Sequence, residues 1–169
     1  IRMDGAHELI AGVSRDPIFG PVLLFGAGGT SVEVVDDTAI ALPPIDDVLA
    51  GDLIDSTRIS RLLAGYRDRK PADRAAIVDV LNAVSRITVD FPGISGMDIN
   101  PLLASDDGVM ALDARIEIDP QGVDKQGPNR DLAIRPYPAE WQKDLTLGGR
   151  EFHLRPVKPS DFHLYPDFL

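Results

Sequence analysis

The sequence predicts an α+β fold in which a mostly antiparallel β-sheet packs against two or more helices. Short apolar runs separated by turn residues lie at both ends of the first 119 positions, which indicates β-hairpins. Between them, apolar residues recur at helical spacing, which indicates a long amphipathic helix. Half of the 14 prolines lie in the last 50 positions and predict a proline-rich C-terminal extension, because proline disfavours helix interiors and central strands.

Charge and proline content divide the chain into three parts. The 17 basic and 27 acidic residues give a net charge of −10, and residues 1–119 contain all of it. We therefore predict a packed domain over 1–119, a proline-rich linker or extended strap over 120–146, and a separate segment over 147–169. This excess of acid argues against nucleic acid or an anionic membrane as the main partner, since both attract Lys and Arg.

Other classes of protein are excluded by what the sequence lacks. It has no cysteine, so disulfide scaffolds, thiolate metal sites and cysteine nucleophiles are excluded. It has no apolar run of 18 residues, and we expect no signal peptide at its start. The expected location is therefore the cytoplasm.

Two hairpins and two helices are predicted before position 93. The segments 8–13 and 21–25 flank a turn-rich stretch and predict a hairpin with a long loop, and 30–35 with 38–42 predict a second hairpin. A first helix is expected over 58–64. A longer helix is expected to begin near Pro71 and to end before Phe91.

The segments 96–103 and 109–116 form the most informative predicted hairpin. If its turn is centred on Asp106 and Asp107, the numbers of cross-strand partners sum to 213. Asn100 then lies opposite Asp113, and Asp98 opposite Arg115. The opposite face is predicted to be the core face, and it contains Met97, Ile99, Leu103, Met110, Leu112, Ala114 and Ile116.

Asn100 and Asp113 are candidate ligands of one hard cation. Their side chains both offer oxygen, and Mg²⁺ takes one or two such ligands while keeping waters and substrate phosphates. Pro101 supports the geometry by biasing Asn100 towards an extended conformation. A second interpretation stays open from the residues alone: Asp98 and Arg115 form a solvated cross-strand pair, and Asn100 and Asp113 are ordinary surface residues.

The hairpin also resembles a known family. Residues 98–103 (Asp-Ile-Asn-Pro-Leu-Leu), followed by 108–115 (Gly-Val-Met-Ala-Leu-Asp-Ala-Arg), are similar to the closing hairpin of the ATP-grasp domain of NDP-forming acyl-CoA synthetases, relatives of the succinyl-CoA synthetase β-subunit. The similarity continues upstream through 8–22, the glycine-rich 25–34, and 62–73. It covers about 1–119 and implies the second lobe of an ATP-grasp domain.

The resemblance implies a role for each matching residue. Asn100 and Asp113 are the expected ligands of the Mg²⁺ that accompanies ATP or ADP, and Asp98 is expected to face the phosphohistidine loop as a catalytic residue. The expected nucleotide-binding residues are Arg2, Met3, Glu8 and Glu33. From the residues alone, Glu8 and Glu33 are equally compatible with solvent-facing acids, and 26–29 with a tight turn that lacks the lysine of a phosphate-binding P-loop.

A second resemblance lies at the other end of the chain. Residues 148–162 are similar to the first strand and helix start of a GNAT-superfamily acetyltransferase, with Ser160 or Asp161 as the helix cap. The acetyl-CoA pyrophosphate motif of that superfamily is absent from the sequence. The expected organisation is therefore a truncated acetyltransferase start over 147–169.

Two functions follow from these resemblances, and both describe a larger parent protein. In the first, the parent is an acid–CoA ligase. The expected partners of this fragment are then the nucleotide, the missing ATP-grasp lobe and a CoA-binding region that handles acyl-CoA. The fragment alone is expected to be inactive. In the second, the synthetase-like region is a catalytically silent, ligand-sensing module of a lysine acetyltransferase. An acidic interaction domain without a nucleotide site is a third reading, and the oligomeric state stays open.

Overall fold

The computed structural model describes residues 5–29, 37–65, 70–124, 128–158 and 161. The chain forms two compact units, 1–134 and 135–169. The elements of the first unit are β1 (His7–Asp16), β2 (Gly20–Ala27), β3 (Thr38–Ala41), α1 (Asp47–Asp55), α2 (Ser60–Leu63), α3 (Arg74–Asp90), β4 (Ile94–Ser105), β5 (Gly108–Ala111) and β6 (Ala114–Ile118). The second unit contains β7 (Lys143–Leu147), β8 (Arg150–Leu154) and a 3₁₀ turn at Ala139–Trp141. Within the described ranges, no helix is long and apolar enough to cross a membrane.

The first unit is built on one antiparallel sheet with the strand order β3-β2-β1-β4-β5. Strand β6 also pairs with β4, along the part of β4 that precedes its pairing with β5. This confirms the predicted α+β class. The β1–β2 hairpin is confirmed, but its predicted long loop is wrong, since Asp16 already pairs with Gly20. The Asp16 carboxylate accepts backbone hydrogen bonds from Ile18 and Phe19, and the Phe19 and Ile18 N–H groups hold the pKa of Asp16 below its usual value.

The second predicted hairpin lies only partly within the described residues. Its first strand, 30–35, falls outside them. Its second strand corresponds to β3, which pairs with β2 so that Ala41 lies opposite Leu23 and Thr38 opposite Gly26.

All three helices bury apolar side chains in one core on the same side of the sheet. Leu9, Phe25 and Leu102 from the strands are at most 1% exposed and lie in a cluster with Ile54 of α1 and Leu81 of α3. The opposite side of the sheet is therefore left without these helices. Helix α1 was not predicted from the sequence, although Asp46 caps it through a 2.9 Å hydrogen bond from the Leu49 N–H.

The other two helices differ from the predictions at their bounds. The helix expected over 58–64 is the single turn α2. The long helix is confirmed, but it begins at Arg74 rather than near Pro71, because Asp73 is its N-cap and accepts a hydrogen bond from the Ala76 N–H at 3.0 Å. A side-chain cap of this kind satisfies a backbone donor that the helix itself leaves without an acceptor.

The register predicted for the closing hairpin is confirmed. Leu102 pairs with Ala111 and Ser105 with Gly108, and the same register continues on β6, where Asp98 pairs with Arg115. The turn is held by a hydrogen bond from the Asp107 N–H to the Ser105 hydroxyl and by a 2.6 Å ion pair between Lys70 and Asp106. That ion pair raises the pKa of Lys70 and lowers the pKa of Asp106.

The predicted core face is wrong for part of this hairpin because β4 contains a bulge. Against β1, Ile99 pairs with Ala11 and Leu102 with Leu9, so β4 uses three residues where β1 uses two. An extra residue reverses which side chains face the core. Met97 and Ile99 face it before the bulge, but Leu102 and Ala104 replace the predicted Leu103 after it.

The predicted core positions on the other strands are affected too. Val109, and not Met110, packs on the core. Leu112 and Ile116 are 54% and 53% exposed, so the core does not extend over them. The predicted alternation of core-facing and solvent-facing side chains therefore does not hold beyond the bulge.

A strap over 128–134 packs against the first unit. Asn129 is 3% exposed and donates a side-chain hydrogen bond to the Thr88 carbonyl, and Leu132 is 5% exposed. Asp131 forms an ion pair with Arg15 at 3.1 Å. A β-carbon at Gly20, whose φ is +70°, would overlap the Asp131 carbonyl oxygen, so the turn and the strap fit only with glycine there.

The second unit contains a hairpin in which β7 pairs with β8, with Lys143 opposite Leu154 and Leu147 opposite Arg150. The Arg155 guanidinium binds both carboxylate oxygens of Asp161 at 2.6 Å, and it holds the pKa of Asp161 well below its usual range. The Tyr137 hydroxyl donates to the Pro156 carbonyl at 2.7 Å. The predicted bounds of the linker and of the acetyltransferase start remain predictions.

The buried carboxylate of Asp37 supports a first testable prediction. Asp37 is 7% exposed and accepts backbone hydrogen bonds from Arg58 and Ile59, both at 2.7 Å. We expect Asp37→Ala to lower the free energy of unfolding by about 2–3 kcal/mol, because it leaves two partly buried donors without an acceptor. Urea denaturation followed by circular dichroism measures the change.

The matched control is Asp55→Ala. Asp55 is well exposed and pairs with Arg74 at 2.8 Å, so its loss should cost less than about 1 kcal/mol. Equal effects of the two substitutions would contradict the assigned role of Asp37.

Candidate functional site

The predicted site residues of β1 and β4 lie on the side of the sheet that the helices leave open. Glu8 is exposed and precedes the buried Leu9 of the core. Asp98 is exposed between Met97 and Ile99, which both face the core. Because successive side chains of a strand point to opposite faces, Glu8 and Asp98 belong to the open face.

The glycine-rich segment joins Glu8 to Asn100. The Gly28 N–H donates to the Glu8 carbonyl at 2.8 Å, and the Gly29 N–H donates to Asn100 Oδ1 at 2.9 Å. A β-carbon at Gly28 would overlap the Leu9 carbonyl, and one at Gly29, whose φ is +79°, would overlap the Glu8 carboxylate. The segment therefore needs glycine at both positions to reach across β1 to β4.

Asn100 and Asp113 lie where the partner of β4 changes from β5 to β6, a place that we call the kink of the closing hairpin. Ile99 pairs with Ala114 and Leu102 with Ala111, so two residues lie between the paired positions on each strand. The Leu112 N–H bonds to the Pro101 carbonyl at 3.1 Å, which leaves Asn100 directly across from Asp113 in the same register. The bulge of β4 against β1 lies at the same place, and bulges redirect side chains and are common next to functional sites.

The donor set at this kink suits a hard cation. Asn100 supplies an amide oxygen that keeps one lone pair beyond its bond to Gly29, and the exposed Asp113 supplies a carboxylate. No group of three or more His, Cys, Asp or Glu side chains that could hold a metal occurs among the described residues. Two protein oxygens are the number that Mg²⁺ commonly takes when phosphates and water complete its shell, so these residues fit that ion.

Asp98 and Arg115 are directly opposed across β4 and β6. In the described part of the chain, no ion pair or hydrogen bond joins the two. Both side chains are exposed and opposed, so the alternative of a solvated cross-strand pair stays open beside the functional one. Both groups remain available on the open face.

The other predicted nucleotide-binding residues are Arg2, Met3 and Glu33. All three lie outside the described residues. Their roles remain predictions, as do those of Glu8, Asp98, Asn100 and Asp113.

Residues 1–118 match the family model of the ATP-grasp domain. The chain belongs to the ATP-grasp family. It is 40% identical over 114 residues to acetate–CoA ligase [ADP-forming] I of Archaeoglobus fulgidus, a match that covers 68% of this chain and 17% of that protein. It is 38% identical over 110 residues to the β subunit of acetate–CoA ligase [ADP-forming] I of Pyrococcus furiosus, covering 65% of this chain and 47% of the subunit.

Solved ATP-grasp structures show the same fold. The dinucleotide forming acetyl-coenzyme A synthetase 1 of Ca. Korarchaeum cryptofilum superposes with a TM-score of 0.64 at 39% identity, covering 66% of this chain and 53% of that one. That structure contains coenzyme A and Mg-AMPPCP, and its phosphohistidine segment points towards the nucleotide-binding site. This ATP-grasp chain thus spans about half or less of the proteins it resembles, and the acetyltransferase resemblance of 148–162 remains a prediction.

Two features of the site were not predicted from the sequence: the bond between Gly29 and Asn100, and the bulge that accompanies it. Pro101 was the available signal for the bulge, since proline within a strand is confined to edges and irregularities. The contact with Gly29 had no such signal, because 71 residues separate its partners.

The Gly29–Asn100 bond supports a second prediction. Asn100→Ala removes the acceptor of the Gly29 N–H, and we expect that amide to exchange with solvent at least about fivefold faster, equivalent to about 1 kcal/mol. Hydrogen exchange followed by NMR measures it.

Asn82→Ala is the matched control, because Asn82 lies on α3 and donates to Asp47. It should leave exchange at Gly29 unchanged. Unaltered exchange in Asn100→Ala would show that the bond does not hold the glycine-rich segment in solution.

Proposed function

We propose that this chain is the metal-bearing lobe of an ATP-grasp region in an NDP-forming acyl-CoA synthetase, and that it binds Mg-ATP or Mg-ADP on its open face. The observation that supports this most strongly is the convergence of Glu8, Gly29 and Asn100, with Asp113 opposite, inside an ATP-grasp match over 1–118. The relatives named for ADP-forming ligation support the same reaction class.

In this proposal Asn100 and Asp113 hold the Mg²⁺. The ion neutralises phosphate charge when it is bound. The Gly29 N–H keeps Asn100 Oδ1 oriented, and the packing of Gly29 on the Glu8 carboxylate keeps that acid at the edge of the site. Glu8 and Glu33 then accept hydrogen bonds from the nucleotide, and the backbone of Arg2 and Met3 pairs with the base.

Asp98 has a separate task. It lies two residues before Asn100 on the same strand, on the open face. A carboxylate there can accept the N–H of an imidazole ring and so orient a histidine that exchanges a phosphoryl group with the nucleotide. The histidine, the other ATP-grasp lobe and the CoA-binding region would come from the rest of a longer protein, so the 169-residue chain alone turns over no acyl-CoA.

The second candidate assigns the ATP-grasp region a ligand-sensing role in a lysine acetyltransferase. The similarity of 148–162 to an acetyltransferase start favours it, and β8 lies within that segment. Nucleotide binding at Asn100 and Asp113 is common to both candidates. A phosphorylatable histidine in the intact protein would favour the ligase.

Calorimetry of the intact protein with Mg-ATP and Mg-ADP tests the metal site. We expect Asn100→Ala and Asp113→Ala each to weaken binding at least tenfold, because each removes an oxygen ligand of a cation that bridges to phosphate.

Asp107→Ala is the control, since Asp107 is an exposed acid in the turn of the same hairpin. It should bind both nucleotides like the unsubstituted protein. Unchanged affinity in both site variants would overturn the assignment of Asn100 and Asp113.

A further inference from the structure

Strand β6 is the outer edge of the sheet along the first half of β4. It pairs with β4 on one side, and among the described residues no backbone hydrogen bond joins Ala114–Ile118 to any other segment. All five residues of the strand are exposed. An edge strand of this kind presents a row of backbone N–H and C=O groups with which a further strand can pair.

The two faces of β6 differ in their chemistry. Arg115 lies opposite Asp98, so Arg115 and Glu117 belong to the open face. Ile116 and Ile118 alternate with them on the side of the core, and they are 53% and 61% exposed. The apolar row of the core therefore continues to the edge of the sheet, where two large side chains still contact solvent.

We propose that β6 pairs antiparallel with β6 of a second copy of this chain, about a two-fold axis at Ile116. The numbers of cross-strand partners then sum to 232, so that Arg115 of each copy lies opposite Glu117 of the other. Ile116 lies opposite its own counterpart. Directly opposed β-carbons are about 4.5–5.5 Å apart, so the unlike charges and the apolar side chains can make contact. Each copy contributes the same surface, as a two-fold interface requires.

The charges of β6 select this register. A register centred on Arg115 would place two guanidinium groups opposite each other, and one centred on Glu117 would do the same with two carboxylates. Like charges in directly opposed positions destabilise a strand pair. Charged side chains on an edge strand commonly prevent pairing. Here they have opposite signs and lie symmetrically about Ile116, so they favour a second copy of the same strand over a strand of arbitrary sequence.

Pairing with a second copy breaks no side-chain bond of the single chain. In the described part of the chain, no hydrogen bond or ion pair involves the side chain of Arg115 or Glu117. The Glu117 carboxylate lies over Gly96, where an added β-carbon would be 3.1 Å from it, and rotation about its side-chain bonds moves it towards the edge. Arg115 has Asp98 opposite it on β4, and the second copy supplies an acid on its other side.

Disulfide cross-linking tests the two-fold axis directly, because the chain has no cysteine of its own. Only a residue on the axis meets its own counterpart. We expect Ile116→Cys to form a disulfide-linked dimer at least about tenfold faster than Ala114→Cys under the same mild oxidation. The two Ala114 positions would be about 13 Å apart along the strands, which is farther than a disulfide spans. Equal rates for the two variants would overturn the inference.

Sedimentation equilibrium of the 169-residue chain measures the association itself. In about 0.15 M salt the repulsion between two copies of charge −10 is largely screened. Two five-residue strands make a small interface, so we expect a dissociation constant of about 0.1–1 mM. Arg115→Glu and Glu117→Arg should each weaken association at least about fivefold, because each places like charges opposite each other. The double variant exchanges the two charges and should associate within about threefold of the unsubstituted chain.

Arg86→Glu is the control, since Arg86 is an exposed arginine on α3 and its substitution changes the net charge as much as Arg115→Glu does. It should associate like the unsubstituted chain. A monomeric unsubstituted chain at about 1 mM, unchanged association in both single variants, or a double variant that stays dissociated would overturn the inference. None of these results depends on nucleotide binding, so they leave the proposed metal site to its own test.

Discussion

The pairing of β1 with β4 is the constraint on which the rest of the first unit depends. It joins residues about 90 positions apart, and its inner side contributes Leu9, Ala11 and Leu102 to the core. Its outer side displays Glu8 and Asp98. The extra residue of β4 between Ile99 and Leu102 lets Pro101, which has no N–H to donate, lie inside this strand. It also places Asn100 at the kink, where its Oδ1 accepts the hydrogen bond from the Gly29 N–H. The burial of the inner side chains of β1 and β4 thus fixes where Glu8 and Asp98 lie on the open face.

Local patterns predicted much of this fold correctly. The turn at Asp106 and Asp107 was sufficient to give the register of the closing hairpin, and helical spacing gave α3. Each of these signals depends only on residues that are close to one another in the sequence. The inward-facing positions after Ile99 could not be predicted in the same way, since they depend on how β4 pairs with a strand far away in sequence. Helix α1 was missed because it is only nine residues long, has Gly51 in its interior, and its cap, Asp46, is one of many acids in this region.

The open face also gives the acidic composition a specific meaning. Most of the described acids in 1–119 are exposed, and three of them, Glu8, Asp98 and Asp113, belong to the proposed nucleotide site. In an ATP-grasp lobe, the proposed path leads from a nucleotide bound at Asn100 and Asp113 to the histidine that Asp98 would orient. The short distance along β4 between Asp98 and Asn100 is what would couple the two sites, because a strand rises only about 3.3 Å per residue.

We propose that the oxygen ligands of Asn100 and Asp113 hold one cation at the kink of the closing hairpin. Titration of the isotope-labelled chain with Mn²⁺, which prefers oxygen ligands as Mg²⁺ does, tests it through paramagnetic broadening of amide signals. We predict that broadening begins at Asn100 and Asp113, extends to Gly29, and is lost in Asp113→Ala. Broadening that spreads evenly over the exposed acids of the chain, and that does not change in this variant, would contradict it.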